Sequence, residues 1–339
     1  MYGLIRPALF GLDPERAHAL ALASLDALAA TPLASTALAR RVPPSPVTAM
    51  GLSFPNRVGL AAGLDKNAAH IDGLAALGFG FIECGTVTPR AQPGNPPPRL
   101  FRIERAQALV NRMGFNNDGV ERFVANVARA RYRGILGLNI GRNFDTPNER
   151  AHDDYVAAFR AVYAHASYVA INVSSPNTKD LRALQAADAL RALAGALKHV
   201  QARLAEAHGR YVPIAVKIAP DLDGNELATI ARTLVDARID GVIATNTTSD
   251  RRALAGLPHA NETGGVSGAP LRERATETLR KLAKALDGAL PIIGVGGILS
   301  ARDALDKIAA GASLVQLYTG LVYRGPALVA EVGAALARA

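Results

Sequence analysis

In the stretch Ile171-Asn172-Val173-Ser174-Ser175-Pro176-Asn177, two carboxamides and two hydroxyls follow an apolar run that begins at Tyr168. The run reads as a buried strand, and Ser174-Ser175-Pro176-Asn177 breaks it into a loop. Pro176 restricts Ser175 to extended geometry. Asn172, near the strand end, carries two donors and two acceptor lone pairs that are costly to bury without polar partners. Lys217 interrupts a second apolar run, Ile214-Ala215-Val216-Lys217-Ile218-Ala219. A buried ammonium needs an anionic or strongly polar partner; the alternative is a lysine whose head reaches solvent at a rim. Lys66 lies in the loop Gly63-Leu64-Asp65-Lys66-Asn67, where an idle, exposed lysine is an equal alternative.

Several chemistries are set aside. Ser175 lacks the GxSxG elbow of hydrolases. The seven histidines (His18, His70, His152, His165, His199, His208 and His259) avoid the strand ends, so no triad base is evident. There is no HExxH, and the single cysteine, Cys84, cannot build a thiolate cage or an internal disulfide, so no metal is expected. Basic residues outnumber acidic ones, 38 to 29, for a net charge of +9. They are scattered rather than interleaved with aromatics, so nucleic acid is not an expected partner, while anionic substrates or anionic lipid are compatible.

Positioning these groups requires a scaffold. Apolar runs at 58–60, 79–85, 135–140, 168–173, 214–218, 241–245, 292–295 and 314–317 read as strands, with helical segments between them. Strands two and three are separated by a long excursion (86–133) that holds a Pro/Gly-rich segment (89–99), a small hairpin around 100–110 and a helix near 120–130. A Gly-rich loop precedes the helix at 275–286. Eight strand–helix alternations, with no GxGxxG after the first strand, predict an α/β fold of the (β/α)8 TIM-barrel type. Residues 1–40 read as a short N-terminal helical extension, with Asp13 as N-cap and Pro14 at the first helical position of 13–30. A linker begins at Arg40-Arg41, and 41–339 form the barrel. The extension is either an appendage packed on the barrel or an amphipathic element lying on a membrane. No apolar stretch approaches the roughly 20 residues of a spanning helix, and no signal peptide is evident.

A parallel barrel places its chemistry at the carboxyl ends of its strands. Those positions hold Ala62, Gly63, Lys66, Thr86, Asn139, Asn172, Ser175, Lys217, Thr245, Asn246, Thr247, Gly297, Tyr318 and Thr319. Such a ring of amides, hydroxyls and ammonium groups exceeds what a purely structural barrel needs. Glycines after strands seven and eight suit close approach to a phosphate.

Six segments resemble the dihydroorotate dehydrogenases: 62–66, 111–117, 172–178, 216–221, 244–248 and 294–298. The helix start at 12–18, and serine at the base position, resemble the class 2, quinone-dependent branch. The resemblance implies an FMN enzyme of pyrimidine biosynthesis that oxidises (S)-dihydroorotate to orotate and passes electrons to a membrane quinone. It makes Ser175 the catalytic base, aided by an unidentified proton relay because a free hydroxyl is a weak base. It gives the substrate Lys66, Asn111, Arg112, Met113, Gly114, Phe115, Asn172, Asn177, Asn246 and Thr247. It gives FMN Ala62, Gly63, Leu64, Asp65, Lys66, Thr86, Asn139, Asn172, Lys217, Thr245, Gly268, Gly297, Tyr318 and Thr319, with Lys217 near the flavin N1/C2=O edge. His18 and Arg102 become quinone-site candidates, and the N-terminal helices a peripheral attachment to the cytoplasmic face of the inner membrane. Cys84 is assigned to core packing. The loop 174–184 is expected to act as a lid, which protection from proteolysis by orotate tests. A monomer is compatible with the sequence. Rival readings are a soluble form reducing fumarate or NAD, an aldolase-like lyase using Lys217 as a Schiff-base nucleophile, and a non-catalytic phosphate-binding barrel.

Overall fold

The structure, a computed structural model, describes residues 2–31 and 42–339. The expected boundary at 40/41, and the linker start at Arg40-Arg41, lie outside the described residues. Eight parallel strands close a barrel: β3 (Val58–Leu60), β4 (Phe81–Val87), β7 (Ile135–Ile140), β8 (Tyr168–Asn172), β9 (Ile214–Ile218), β10 (Gly241–Ala244), β12 (Ile292–Val295) and β13 (Leu314–Leu317). Helices follow these strands on the outside, among them α6 (Ala187–His208), α7 (Gly224–Asp236) and α8 (Arg272–Leu286). Local chemistry starts some of these outer helices. Asp223 and Glu226 form a reciprocal capping box at α7, and Ser300 caps α9 (Ala301–Ala309).

Strand alternation sorts side chains to two faces. Outward-facing residues join the main core with the helices. Inward-facing residues are stratified along the barrel axis. The lower stratum is apolar, with Phe81, Tyr168, Ala170, Ala215, Ile243, Ile293 and Leu314 packed together. Glycine makes room for its aromatics, since a Cβ on Gly59 would meet the Phe81 ring at 2.2 Å and one on Gly137 the Tyr168 ring at 2.2 Å. Above this stratum the inner face turns polar, with Glu83, Asn139, Lys217 and Gln316 all buried.

Two small sheets were not anticipated in full. A hairpin of β1 (Val47–Ala49) and β2 (Leu52–Phe54) turns at Met50-Gly51, both at positive φ, and closes the amino-terminal end of the barrel. Its Phe54 packs edge-on to Phe81 at 5.1 Å. At the other end the expected hairpin, β5 (Leu100–Ile103) and β6 (Ala108–Asn111), gains a third strand, β11 (Gly265–Gly268), from the segment read as a Gly-rich loop. The helical segment expected between the first two barrel strands is short, α3 (Ile71–Ala75), because Asp65 accepts the backbone N–H groups of Ala69 and His70 at 3.0 and 2.8 Å.

The N-terminal extension forms α1 (Tyr2–Phe10) and α2 (Pro14–Ala29), with Asp13 accepting from the N–H groups of Glu15 and Arg16. α1 rests on α10 (Thr319–Arg324): the Tyr2 hydroxyl donates to the Val322 carbonyl, and Phe10 meets Tyr323 edge-on at 5.5 Å. α2 lies along α3, where His70 Nδ1 and Asp26 Oδ2 are 2.5 Å apart. Among the described residues no helix is long and apolar enough to cross a membrane.

Candidate active site

The cavity opens at the carboxyl ends of the barrel strands, beneath the β5–β6–β11 sheet, with about 970 Å³ of atom-free space including its mouth. Ser175, Lys66, Asn111, Met113, Gly114, Phe115, Asn172, Asn177, Asn246 and Thr247 reach it, as do Ala62, Gly63, Thr86, Lys217, Thr245, Gly268, Gly297, Tyr318 and Thr319. Strand register explains the convergence. Asn172 pairs with Lys217 across β8 and β9, and Asn139 pairs with Gly85 across β7 and β4.

Other expected site residues stand elsewhere. The Arg112 guanidinium turns outward, bonding Glu262 at 2.7 Å and the Pro98 carbonyl at 2.8 Å while stacking over Phe101. Leu64 is in the core and Asp65 is a buried loop cap, so neither lines the cavity. Asn139 sits one layer behind it, accepting from Thr86 Oγ1 at 2.6 Å. Arg102 holds the α1–α2 turn through the Leu9 carbonyl at 3.0 Å and the Leu12 carbonyl, with Phe10 4.8 Å from its guanidinium carbon. His18 is on α2, near Lys66.

Ser175 is buried, and its Oγ accepts the Asn177 N–H at 3.2 Å. That contact leaves the hydroxyl proton free and favours negative charge developing on Oγ. Around it runs a mesh of amides. Asn177 donates to Asn111 Oδ1 at 3.0 Å, and Asn246 Nδ2 donates to Asn172 Oδ1 at 3.2 Å and Ser174 Oγ at 3.0 Å. Arg182 ties the loop 174–184 across the site through the Ser174 and Thr247 carbonyls and Asp221. Arg142 holds its far side through the Lys179 carbonyl.

Two lysines supply positive charge. Lys217 is only 5% exposed, and among the described residues its ammonium makes no hydrogen bond. Burial lowers its pKa, and the nearby Glu83 carboxylate opposes that drop. Lys66 is half-buried at the mouth; desolvation first and Arg99 second lower its pKa to about 8, against Glu15 and Asp65. The Gln316 and Asn177 side-chain oxygens are buried without a partner. Uncommitted ammonium and carbonyl groups facing one cavity suit an anionic ligand whose ring presents both acceptors and N–H donors. FMN fits this donor set, with apolar Ala62, Val295 and Tyr318 to flank a flat ring and the Gly296-Gly297 turn at one end.

Glu83 and Gln316 were missed from the sequence. Both are polar residues inside apolar strand runs, Phe81-Ile82-Glu83-Cys84 and Leu314-Val315-Gln316-Leu317. The same signal had singled out Lys217.

Residues 46–339 match the family profile described as dihydroorotate dehydrogenase. A dihydroorotate dehydrogenase (quinone) of Thiobacillus denitrificans is 63% identical over 331 residues, covering 98% of both chains. One of Burkholderia multivorans is 63% identical over 338 residues, covering all of this chain and 98% of that protein. The crystal structure of an Eimeria tenella DHODH in complex with ferulenol superposes with a TM-score of 0.86 at 37% identity, covering 96% of this chain and 92% of the other. With profile, full-length relatives and barrel in agreement, the chain belongs to the dihydroorotate dehydrogenase family.

Proposed function

We propose that this chain oxidises (S)-dihydroorotate to orotate in pyrimidine biosynthesis, with FMN as its bound cofactor and a membrane quinone as final acceptor. The observation that carries this reading is the convergence of Ser175, Lys66, a mesh of asparagines and the unpaired Lys217 ammonium on one cavity. When bound, FMN would supply a two-electron acceptor for the hydride from C6 of the substrate, and a quinone would take those electrons onward. Ser175 Oγ takes the proton from C5, supported by the Asn177 N–H. Lys66 meets the substrate carboxylate, while Asn111, Asn172, Asn177 and Asn246 meet the ring amides. Thr86, Lys217 and Thr245 would hold the flavin ring, and Gly268, Gly297, Thr319 and the hydroxyl of Tyr318 would hold its phosphate. Arg182 and Arg142 hold the loop 174–184 over substrate and keep water from Ser175.

The quinone reaches the flavin through the N-terminal module. Exposed Leu4, Ile5, Leu12, Leu20 and Leu28 lie on α1, α2 and their turn, and Phe10, Tyr323, Leu109, Val322 and Tyr318 form an apolar path inward. Arg102 and His18 flank this module, and residues 1–40 act as the membrane-facing unit beside the 41–339 barrel. The helices lie on the cytoplasmic face of the inner membrane, against anionic lipid, and the enzyme works as a monomer.

The absorption spectrum of the purified protein is the direct test. A yellow flavin band that bleaches anaerobically with dihydroorotate and returns with a ubiquinone analogue is expected. A colourless protein, or flavin indifferent to dihydroorotate, overturns the proposal.

A further inference from the structure

We infer that Glu83 is a positioning residue: through Asn139 and Thr86 its carboxylate dictates which way the side chains of Asn172 and Asn246 turn, and so which of their atoms face the ligand as donors and which as acceptors. The inference rests on the reading that Asn172 and Asn246 meet dihydroorotate and orotate.

Glu83 is fully buried on the inner face of β4. Its Oε1 accepts from Asn139 Nδ2 at 2.8 Å, and its Oε2 accepts from the Tyr168 hydroxyl at 2.8 Å and Gln316 Nε2 at 2.7 Å. Three donors converge on it, and Lys217 stands near enough for the two charges to support one another. A carboxylate so placed only accepts. Asn139 must therefore turn its NH2 toward Glu83 and its carbonyl away. The Thr86 hydroxyl, 2.6 Å from that carbonyl oxygen, must donate its single proton there. Thr86 Oγ1 is then limited to accepting, and Asn172 Nδ2 donates to it at 2.8 Å. Asn172 in turn shows its carbonyl to the loop side, where it accepts from Ser174 Oγ at 3.2 Å and Asn246 Nδ2 at 3.2 Å. Asn246 completes the series with its own carbonyl on the Thr247 N–H at 2.8 Å.

Each link leaves the next one a single allowed orientation, and reversing any of them sets donor against donor or acceptor against acceptor. An asparagine can otherwise flip at little cost, because its two ends are nearly isosteric. One charge thus removes that freedom from amides several bonds away, at the rim where a ligand sits. Gln316 shows the same effect. Glu83 draws its NH2, and its Oε1 is left buried without a partner beside the cavity.

The test uses the flavin-loaded enzyme and titrates orotate by the perturbation of the flavin absorption band. Glu83→Gln keeps size and shape but offers Asn139 a donor as readily as an acceptor. Its orotate Kd is expected to rise about tenfold or more, the loss of a charge-assisted bond's worth of order. The midpoint potential of the bound flavin is expected to move positive in the same variant, because a negative charge near Lys217 has gone; a residue that merely fills space would not shift it. Thr86→Val cuts the relay while leaving Glu83 its three donors, and is expected to weaken orotate similarly. The double variant should be little worse than either single one, since both break one relay. Tyr168→Phe removes a Glu83 donor outside the relay and should leave orotate affinity within about twofold. Wild-type orotate affinity in Glu83→Gln, or additive losses in the double variant, overturns the inference alone. Should Glu83→Gln lose its flavin, an unchanged Kd in Thr86→Val overturns it. Wild-type enzyme that fails to bind orotate overturns the functional reading, and the inference with it.

Discussion

At the residue scale the proposed roles separate proton removal from charge recognition. In the proposed reading Ser175 takes a proton but contributes no charge to binding. Ser175→Ala is therefore expected to keep its flavin and its orotate affinity while flavin reduction by dihydroorotate slows about 10²- to 10⁴-fold in stopped-flow traces. Reduction at the wild-type rate would remove Ser175 from its assigned role. Lys66 does the reverse. Only its protonated form attracts a carboxylate, and its pKa in the free enzyme is about 8. Orotate affinity should be flat below that pH and fall above it, approaching about tenfold per pH unit. Lys66→Met should weaken orotate by roughly 10- to 100-fold near neutral pH and abolish the alkaline fall. A variant that retains the fall assigns the titration to another group. The polar residues at strand ends were readable because loops and strand ends seldom place so many amides together without use. Glu83 and Gln316 escaped because each is a single polar residue inside an apolar run; only the barrel's inward parity brings them together with Lys217.

Helices and strands carry a different set of consequences. α2 docks on α3 through the pair His70–Asp26 and through His18, which faces Lys66 and His70 and whose pKa burial, first of all, lowers to about 4. The folded value lies below the unfolded one, near 6.5. His18 therefore favours the docked state fully above about pH 6.5, and that contribution, up to about 3 kcal/mol, is lost as pH falls toward 4. Amide hydrogen exchange in α2, corrected for intrinsic rates, should accelerate across this window before the barrel strands loosen. His18→Gln should flatten the acid response, and an unchanged response would place its origin in other groups. The eight barrel strands were legible because each is an apolar run between helical spacings. β11 was not, because Gly265-Val266-Ser267-Gly268 has a single apolar side chain and owes its strand to pairing with β6. The β1–β2 hairpin hid beside the proline-rich linker, its turn made by a methionine at positive φ that propensity would not choose.

For the whole molecule, apolar exposure is lopsided. Of the large hydrophobic residues that stand exposed among the described ones, Leu4 (83%), Ile5, Leu12, Leu20 and Leu28 belong to the first two helices and their turn, leaving Phe144, Tyr211 and Val235 for the barrel. Leu4→Asp with Ile5→Asp should lower cosedimentation with anionic phospholipid vesicles by tenfold or more, each buried side chain being worth about 1.5–3 kcal/mol. Flavin bleaching by dihydroorotate should be unaffected, since neither residue touches the cavity. Undiminished vesicle binding would move the attachment to another surface.

The Phe54 hairpin turns the barrel into a vessel corked at its base, whose cavity opens, among the described residues, at the other end. A flat ligand seated in that opening shuts the chamber holding Glu83 and Tyr168 off from bulk water on both sides. Hydrons trapped there then persist through many turnovers, so the Tyr168 hydroxyl should keep its protium in heavy water far longer than the flavin takes to cycle.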